Sequence, residues 1–180
     1  MCHQYFLAGS LIPSAKVVND LGVIVDELLT FDSHINNVVS RACSRVGVLF
    51  KGFSSRSPVL LAKAFVTYVR PILEYASNVW NPYLLKHINA IENVQRRFTK
   101  RVSSISNLPY PERLAILGLE PLELRRLKSD LVFYYKIFNN MVHLPRVYLP
   151  SESDLPPTQT RSGGNRLGTP SFSSLSINND

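Results

Sequence analysis

The Lys and Arg residues that could bind a polyanion are concentrated in one segment of this chain of 180 residues. Residues 41–146 hold 17 Lys and Arg against six Asp and Glu, a net charge of +11, whereas residues 1–40 carry −3 and residues 147–180 carry −1. A basic segment between mildly acidic ends is typical of proteins that bind nucleic acid. A solvated basic surface that keeps the chain in solution is the alternative.

Six of these cations form the predicted binding site. On a helix, positions i, i+1, i+4 and i+5 lie close together, and positions i and i+4 share a face. The cations with these spacings are Arg96, Arg97, Lys100 and Arg101 on one predicted helix and Arg41 and Arg45 on another. We expect them to contact a phosphate backbone, with an affinity that depends on salt and not on base sequence.

Groups that could catalyse a reaction are scarce. Asp26–Glu27 is the only pair of adjacent acids, and it precedes a predicted helix start, where a structural role is favoured. The other acids are predicted to lie on solvated helix faces. The four histidines lack metal-ligand spacing, two cysteines cannot build a Cys₄ zinc site, and Cys43 is predicted to be a small buried residue. The sequence therefore indicates no catalytic residue, no metal site and no cofactor.

The predicted fold is mainly α: a bundle of about five helices with a small N-terminal antiparallel β element. Short β-branched and apolar runs predict strands in residues 1–26, with Asn19–Asp20 as a turn pair. Apolar spacing predicts helices over residues 31–50, 57–81, 83–102, 111–118 and 121–141. Asp32 or Ser33 is the expected N-cap of the first helix, and Pro71 should kink or split the second near Val69–Arg70.

Several apolar residues are predicted to form the core. The second helix is apolar on most of its circumference, so it should be the most buried. Tyr75 and Trp80 on it are either core residues or stacking platforms for bases. The fifth helix runs through the apolar residues Leu124, Leu127, Leu131, Tyr134, Tyr135 and Phe138.

Both ends of the chain carry compositional information. Residues 148–180 are rich in Pro, Gly and Ser and poor in aromatics, which predicts a disordered tail.

The longest stretch without a charged residue is Met1–Ala15, shorter than the roughly 20 residues of a membrane-spanning helix, so no integral membrane protein is expected. The stretch also lacks the basic start of a secretory signal. With only two cysteines, an intracellular location in the nucleus or cytoplasm is expected.

An ordered series of short motifs resembles the segment that follows the palm in reverse transcriptases of jockey-type non-LTR retrotransposons. The motifs are Asp20-Leu-Gly-Val-Ile-Val-Asp26, Phe31-x-x-His34-Ile35, Phe53-Ser-Ser-Arg-Ser57, Val69-Arg-Pro-Ile-Leu-Glu-Tyr-Ala76, Val79-Trp-Asn-Pro-Tyr83, Glu92-x-Val-Gln-Arg-Arg-Phe-Thr-Lys100, Tyr110-x-Glu-Arg-Leu114 and Leu124-Arg-Arg-Leu-Lys-Ser-Asp130. They run collinearly over about residues 15–140, most of the chain.

The resemblance implies a domain organisation and a partner. Residues 1–30 look like the last strands of a palm domain, residues 31–147 like the thumb-like helical domain, and residues 148–180 form the tail. In this family the thumb holds the template–primer duplex, so the resemblance implies a nucleic acid duplex as partner. The basic residues 96–101 fall on the family's Gln-Arg-Arg-x-x-Lys-Arg-like stretch, which implies that they contact the duplex.

This sequence differs from the family in the residues that catalysis requires. The family acts as an RNA-directed DNA polymerase through an Asp-Asp motif upstream of the Leu-Gly-Val strand, and this sequence contains no Asp-Asp pair. We therefore expect a fragment without its own catalytic site, not an enzyme, that binds duplex through a basic helical face. The alternative is a helical protein-interaction module with no nucleic-acid role, in which exposed apolar surface binds a protein partner.

Overall fold

Two short antiparallel hairpins begin the computed structural model, which describes residues 5–11, 14–53, 57–139 and 141–142. β1 (Phe6–Leu7) pairs with β2 (Ser10–Leu11), and β3 (Val17–Asp20) pairs with β4 (Val23–Asp26). The register of the second hairpin places Val17 opposite Asp26 and Asp20 opposite Val23. The predicted antiparallel β element is therefore confirmed.

The turn of the second hairpin lies two residues later than predicted. Asn19 and Asp20 belong to β3, and the turn is formed by Leu21 and Gly22, with φ of 46° and 88°. A two-residue hairpin turn of this kind needs positive φ at both central residues, which glycine adopts without a steric cost. Gly22 therefore determines the turn position, and the Asn19–Asp20 prediction was wrong.

The remainder of the described chain is helical, as predicted. The helices are α1 (Asp32–Gly52), α2 (Pro58–Tyr68), α3 (Arg70–Glu74), α4 (Ser77–Trp80), α5 (Leu85–Lys100), α6 (Tyr110–Leu117) and α7 (Leu122–Phe138), with a 3₁₀ turn at Ser103–Ile105. Gly118, with φ of 62°, ends α6 in the left-handed conformation that glycine favours at helix ends. None of the helices in the described part of the chain has the length and apolarity that a membrane span requires.

The long second helix of the prediction is three helices. It breaks at Val69, one residue before Arg70–Pro71, as the proline predicts. A second break that the sequence did not predict follows at Tyr75–Ala76, where Ala76 has a φ of 52°. The indole Nε1 of Trp80 donates a hydrogen bond of 2.8 Å to the carbonyl oxygen of Tyr75, so this carbonyl is paired although the helix ends there.

The start of α1 is held by an acid outside the helix. The Asp26 carboxylate accepts hydrogen bonds from the backbone N–H groups of Leu28, Thr30 and Phe31 and from the Thr30 hydroxyl. These hydrogen bonds lower the pKa of Asp26, and the bond from the backbone N–H of Thr30 has the largest effect. The cap position is Phe31, with a φ of 56°, so the prediction of Asp32 or Ser33 as N-cap was wrong.

Aromatic residues from three helices form the centre of the core. Phe98 of α5 is fully buried, stacks on Phe65 of α2 at a centroid distance of 4.4 Å and lies 5.7 Å from Phe50 of α1. Trp80 is also buried, with its ring 5.1 Å from that of His34. Of the two predictions left open for Trp80, the core role is confirmed.

The structure differs from the prediction at Cys43, and it leaves most apolar residues of α7 exposed. Cys43 is half-buried at the edge of a groove instead of fully buried. Within the described residues, α7 packs against α4 and α5, and of its 17 residues only Leu122 and Arg126 are buried. The apolar residues that defined the fifth predicted helix are exposed on α7, from 41% at Leu124 to 74% at Phe138.

The predicted disordered tail, residues 148–180, lies outside the described residues. The predicted boundaries after residues 30 and 147 stay predictions.

Candidate nucleic-acid interface

Three of the predicted cations line one open groove between α1 and α5. The groove has a volume of about 390 Å³ and is lined by Cys43, Val46, Val94, Arg97, Lys100 and Arg101; we call it the α5 groove. Its floor is apolar, since Val46 and Val94 are buried, and its cations are exposed. The spacing 97, 100, 101 places all three cations on the same side of α5.

Arg101 is held in position by an aromatic ring beneath it. Its guanidinium carbon lies 4.1 Å from the ring centroid of Phe50, within the range of a cation–π contact. Phe50 is itself part of the core on α1. The contact keeps Arg101 over the α1–α5 junction while its charge remains in solvent.

Arg96 lies apart from the α5 groove. Its guanidinium is 5.2 Å from the ring centroid of Tyr110, and that of Arg113 is 5.4 Å from the same ring. The carbonyl oxygen of Arg96 also accepts a hydrogen bond from Arg113. The predicted group of four cations on α5 is therefore divided into three at the groove and one at the α5–α6 contact.

Arg41 and Arg45 line a separate surface. With Ser40, Ser44, Val48 and Ile72 they surround a depression of about 290 Å³ beside α3. Arg41 and Cys43 are two positions apart on α1, so they project on different sides of the helix. The structure does not bring Arg41 and Arg45 into the α5 groove.

Tyr75 is the exposed member of the predicted aromatic pair. Its ring is 57% exposed, and its hydroxyl donates a hydrogen bond of 2.9 Å to the carbonyl oxygen of Leu21. It lines a cavity of about 400 Å³ together with Arg41 and His34. Tyr75 therefore does not belong to the core, and it lines the same cavity as Arg41.

The six predicted cations are available to a ligand. Within the described ranges, none of them lies within ion-pair distance of an acid. Other cations are engaged: Arg125 binds Glu74 with two hydrogen bonds, and Lys128 binds Glu120 at 2.5 Å. Because the six have no acidic partner among the described residues, a polyanion would not have to displace a carboxylate.

A buried polar network beside the site was missed by the sequence. Glu92, predicted to be solvated, is buried and accepts hydrogen bonds from the backbone N–H of Leu122 at 2.9 Å and from the Tyr110 hydroxyl. Gln95 donates to the Tyr110 hydroxyl oxygen and to the carbonyl oxygen of Glu120. Burial, and next the bond to Glu92, raise the pKa of Tyr110. The network joins α5 to the starts of α6 and α7.

Replacing Glu92 by alanine is expected to lower the free energy of unfolding by about 3 kcal/mol, because a buried backbone N–H would lose its acceptor. Urea denaturation followed by circular dichroism measures the change. Glu27→Ala is the control, since Glu27 is also an acid but is exposed. Equal effects of the two substitutions would contradict a supporting role for the network.

His34 is a buried neutral imidazole. Its Nδ1 accepts a hydrogen bond of 3.2 Å from the backbone N–H of Ile24, which ties β4 to α1. Only 3% of the residue is exposed. Burial, and second the charge of Arg41, lower its pKa below 6.5.

We expect this histidine to make the fold sensitive to acid. Since the pKa is lower in the folded chain, stability is unaffected above about pH 7 and falls as the pH drops below about 6.5, where the unfolded chain binds the proton. His34→Asn keeps an acceptor near Nδ1 and removes the titration. The free energy of unfolding measured from pH 7.5 to 5.5 should fall more steeply for the wild type than for the variant; parallel curves would exclude this role.

No group of three or more His, Cys, Asp or Glu residues lies close enough to hold a metal ion in the part of the chain that the structure describes. Asp26 and Glu92 are engaged in the structural contacts above. What the site presents is therefore a positively charged surface on a helical scaffold, suited to binding an anion.

Comparison with known proteins gives two relatives. An uncharacterized protein of Caenorhabditis elegans is 31% identical over 133 residues, which are 72% of this chain and 67% of the nematode protein. The chain belongs to the same family as that protein. No family model and no solved structure matches the chain.

The second relative is a polymerase of a transposon. A probable RNA-directed DNA polymerase from the transposon X-element of Drosophila melanogaster is 25% identical over 95 residues, 51% of this chain. The match spans 10% of the length of the polymerase. The chain is therefore distantly related to a transposon reverse transcriptase.

Proposed function

We propose that the chain corresponds to the late palm and thumb region of a jockey-like reverse transcriptase and that it binds nucleic acid duplex without extending a primer. The observation that carries the proposal is the α5 groove: three exposed cations without an acidic partner in the described chain, in a protein related to a transposon polymerase. In this proposal β1–β4 correspond to palm strands, and α1–α7 to the thumb and the helices after it.

The groove fits a phosphate backbone better than bases. From Arg97 to Arg101 the helix rises about 6 Å. One strand of a duplex carries a phosphate about every 3.4 Å along the axis, so the three cations reach about two neighbouring phosphates. The groove floor is apolar, and the ring of Phe50 is buried beneath Arg101, so the groove offers no exposed aromatic ring as a stacking platform for a base. Binding should consequently be independent of base sequence.

The proposal assigns no polymerisation to this chain. Nucleotide addition to a primer uses two metal ions held by closely placed carboxylates. The sequence has no Asp-Asp pair, and the adjacent pair Asp26–Glu27 has a structural role, since the Asp26 carboxylate holds the β4–α1 connection. The positions that match the polymerase family are used here for packing and for positive charge.

Binding of the full chain to an RNA–DNA hybrid tests the proposal. The logarithm of the affinity should fall linearly with the logarithm of the salt concentration, and hybrids of unrelated sequence should bind alike. Absence of binding at low salt, or a strong preference for one sequence, would contradict it. Primer extension with Mg²⁺ is expected to give no product, and incorporation of nucleotides by the purified chain would overturn the assignment.

A further inference from the structure

The C-terminal half of α7 is an apolar helix that the described part of the chain leaves uncovered. Leu131, Tyr134 and Phe138 are 60%, 66% and 74% exposed, and Val132, Phe133 and Tyr135 are exposed as well. A helix that is apolar around most of its circumference is normally buried. Exposed apolar area of this extent marks an interaction surface.

The first turns of α7 are anchored to the domain. The backbone N–H of Leu122 is bound by Glu92, and Arg125 is paired with Glu74 of α3. Arg126 is buried and donates to the side-chain oxygen of Asn81. Because these contacts end near residue 130, where Asn78 and Asn81 bind Asp130, the following turns extend from a fixed base.

The exposed residues contain a heptad pattern. Counting Leu124 as position a, the a and d positions are all apolar and exposed: Leu124, Leu127, Leu131, Tyr134 and Phe138, with Met141 at the next d position beyond the helix. We call these six residues the α7 stripe. Spacings of three and four residues repeated in this way form the seam of a two-stranded coiled coil. From Leu124 to Phe138 the seam is about 21 Å long.

The charges beside the α7 stripe fit a second copy of the same helix in parallel orientation. In a parallel pair, a g residue faces the e residue five positions further along the partner. Glu123 is at g and Lys128 is at e, which are opposite in charge and five positions apart. The bond of Lys128 to Glu120 within the chain is exposed and contributes little, so Lys128 is free to exchange it.

We propose that the chain forms a homodimer through a parallel coiled coil of two α7 helices. The a and d residues of the α7 stripe pack against the same residues of the second copy, and Glu123 of each copy pairs with Lys128 of the other. This surface is distinct from the α5 groove, and the proposal does not depend on nucleic acid binding.

Crosslinking tests both the interface and its orientation. In a Cys2→Ser, Cys43→Ser background of the full chain, Leu131→Cys should form an intermolecular disulfide under a mild oxidant, because equivalent a positions meet in a parallel, in-register pair. Val132→Cys, one residue away at position b, is the control and should stay reduced. Equal crosslinking of both, or none at Leu131→Cys, would overturn the proposal.

Sedimentation velocity measures the association itself. The wild type should change with concentration from the monomer mass of 20.3 kDa toward twice that mass. Leu131→Lys should raise the dissociation constant at least about tenfold, because it buries two like charges at the seam, and Val132→Lys should leave it nearly unchanged. Circular dichroism verifies that both variants fold. A wild type that is monomeric at every concentration would exclude the dimer.

Charge reversal is the second test of orientation. Glu123→Lys and Lys128→Glu should each weaken the dimer, and the combined variant should recover the affinity, since each pair is restored with its signs exchanged. An antiparallel pair would bring neither residue opposite the other. Additive weakening in the combined variant would therefore rule out the parallel arrangement.

Discussion

Replacing Arg97, Lys100 and Arg101 together by alanine is expected to lower the affinity for an RNA–DNA hybrid by roughly two orders of magnitude near 0.1 M salt. Each lost phosphate contact removes about 0.9 from the slope of log affinity against log salt, so the loss of about two contacts should decrease the slope by about 1.8. The three residues are exposed and have no ion pair within the described chain, and the contact of Arg101 with the Phe50 ring is at the surface, so their loss should not unfold the chain. Fluorescence anisotropy at several salt concentrations measures both quantities.

Variants matched in charge locate the contact surface. Arg97→Ala with Lys100→Ala and Arg41→Ala with Arg45→Ala each remove two positive charges, but only the first pair lies in the α5 groove. The first variant should lose more affinity and more slope than the second. Arg96→Ala should have a small effect, because Arg96 lies over Tyr110 outside the groove. Equal losses for the two double variants would show that binding follows net charge and not the groove.

The second large effect is on stability. Phe98→Ala should lower the free energy of unfolding by about 4 kcal/mol, because a fully buried ring is removed and the surrounding structure closes the cavity only in part. Phe98 touches Phe65 of α2 and Phe50 of α1, so the loss affects the contacts among three helices. Chemical denaturation with a two-state analysis measures it.

Phe133→Ala is the matched control for Phe98→Ala. Phe133 is on α7, is 43% exposed and is off the α7 stripe, so its truncation should change the free energy of unfolding by less than about 0.5 kcal/mol. A loss as large as that of Phe98→Ala would mean that α7 is covered by protein in solution. Such a result would also remove the basis of the proposed coiled coil.

Local sequence signals predicted most of the helices. Pro71 predicted the break at Val69, because a proline has no backbone N–H to donate and its ring clashes with the preceding turn of a helix. Gly118 ended α6 where the sequence places it, because glycine adopts the left-handed conformation without a steric cost. The break at Tyr75–Ala76 has no such signal, since it depends on the indole of Trp80 binding the carbonyl oxygen of Tyr75.

Whether the six predicted cations bind nucleic acid stays a prediction; what the structure decides is how they are grouped. Spacing on α5 correctly placed Arg97, Lys100 and Arg101 together. The spacing could not show that the guanidinium of Arg96 lies over the ring of Tyr110, a residue on α6. Nor could it show that Arg41 and Arg45 point away from α5, because the rotation of α1 about its axis is determined by which of its apolar residues face the neighbours.

Glu92 and α7 show the limits of reading apolar and charged patterns. Glu92 is an acid on an amphipathic helix, and only the approach of Leu122 and Tyr110 makes it a buried acceptor. The apolar period of α7 is typical of a helix with a buried face, but among the described residues of its second half only Ile137 is half-buried and the others are exposed. The apolar periodicity of a helix indicates that one face of the helix is stabilised by burial. It does not indicate whether the surface that buries this face belongs to the same chain.

By itself the sequence determined the helical class, the positions of most helices and the basic charge of residues 41–146, because these depend on each residue and its neighbours within a few positions. The tertiary structure alone decided which cations share the α5 groove, that Glu92 is buried and that the α7 stripe is exposed. These features depend on how helices distant in the chain pack together, and packing is set by the shapes of side chains that meet only in the folded protein.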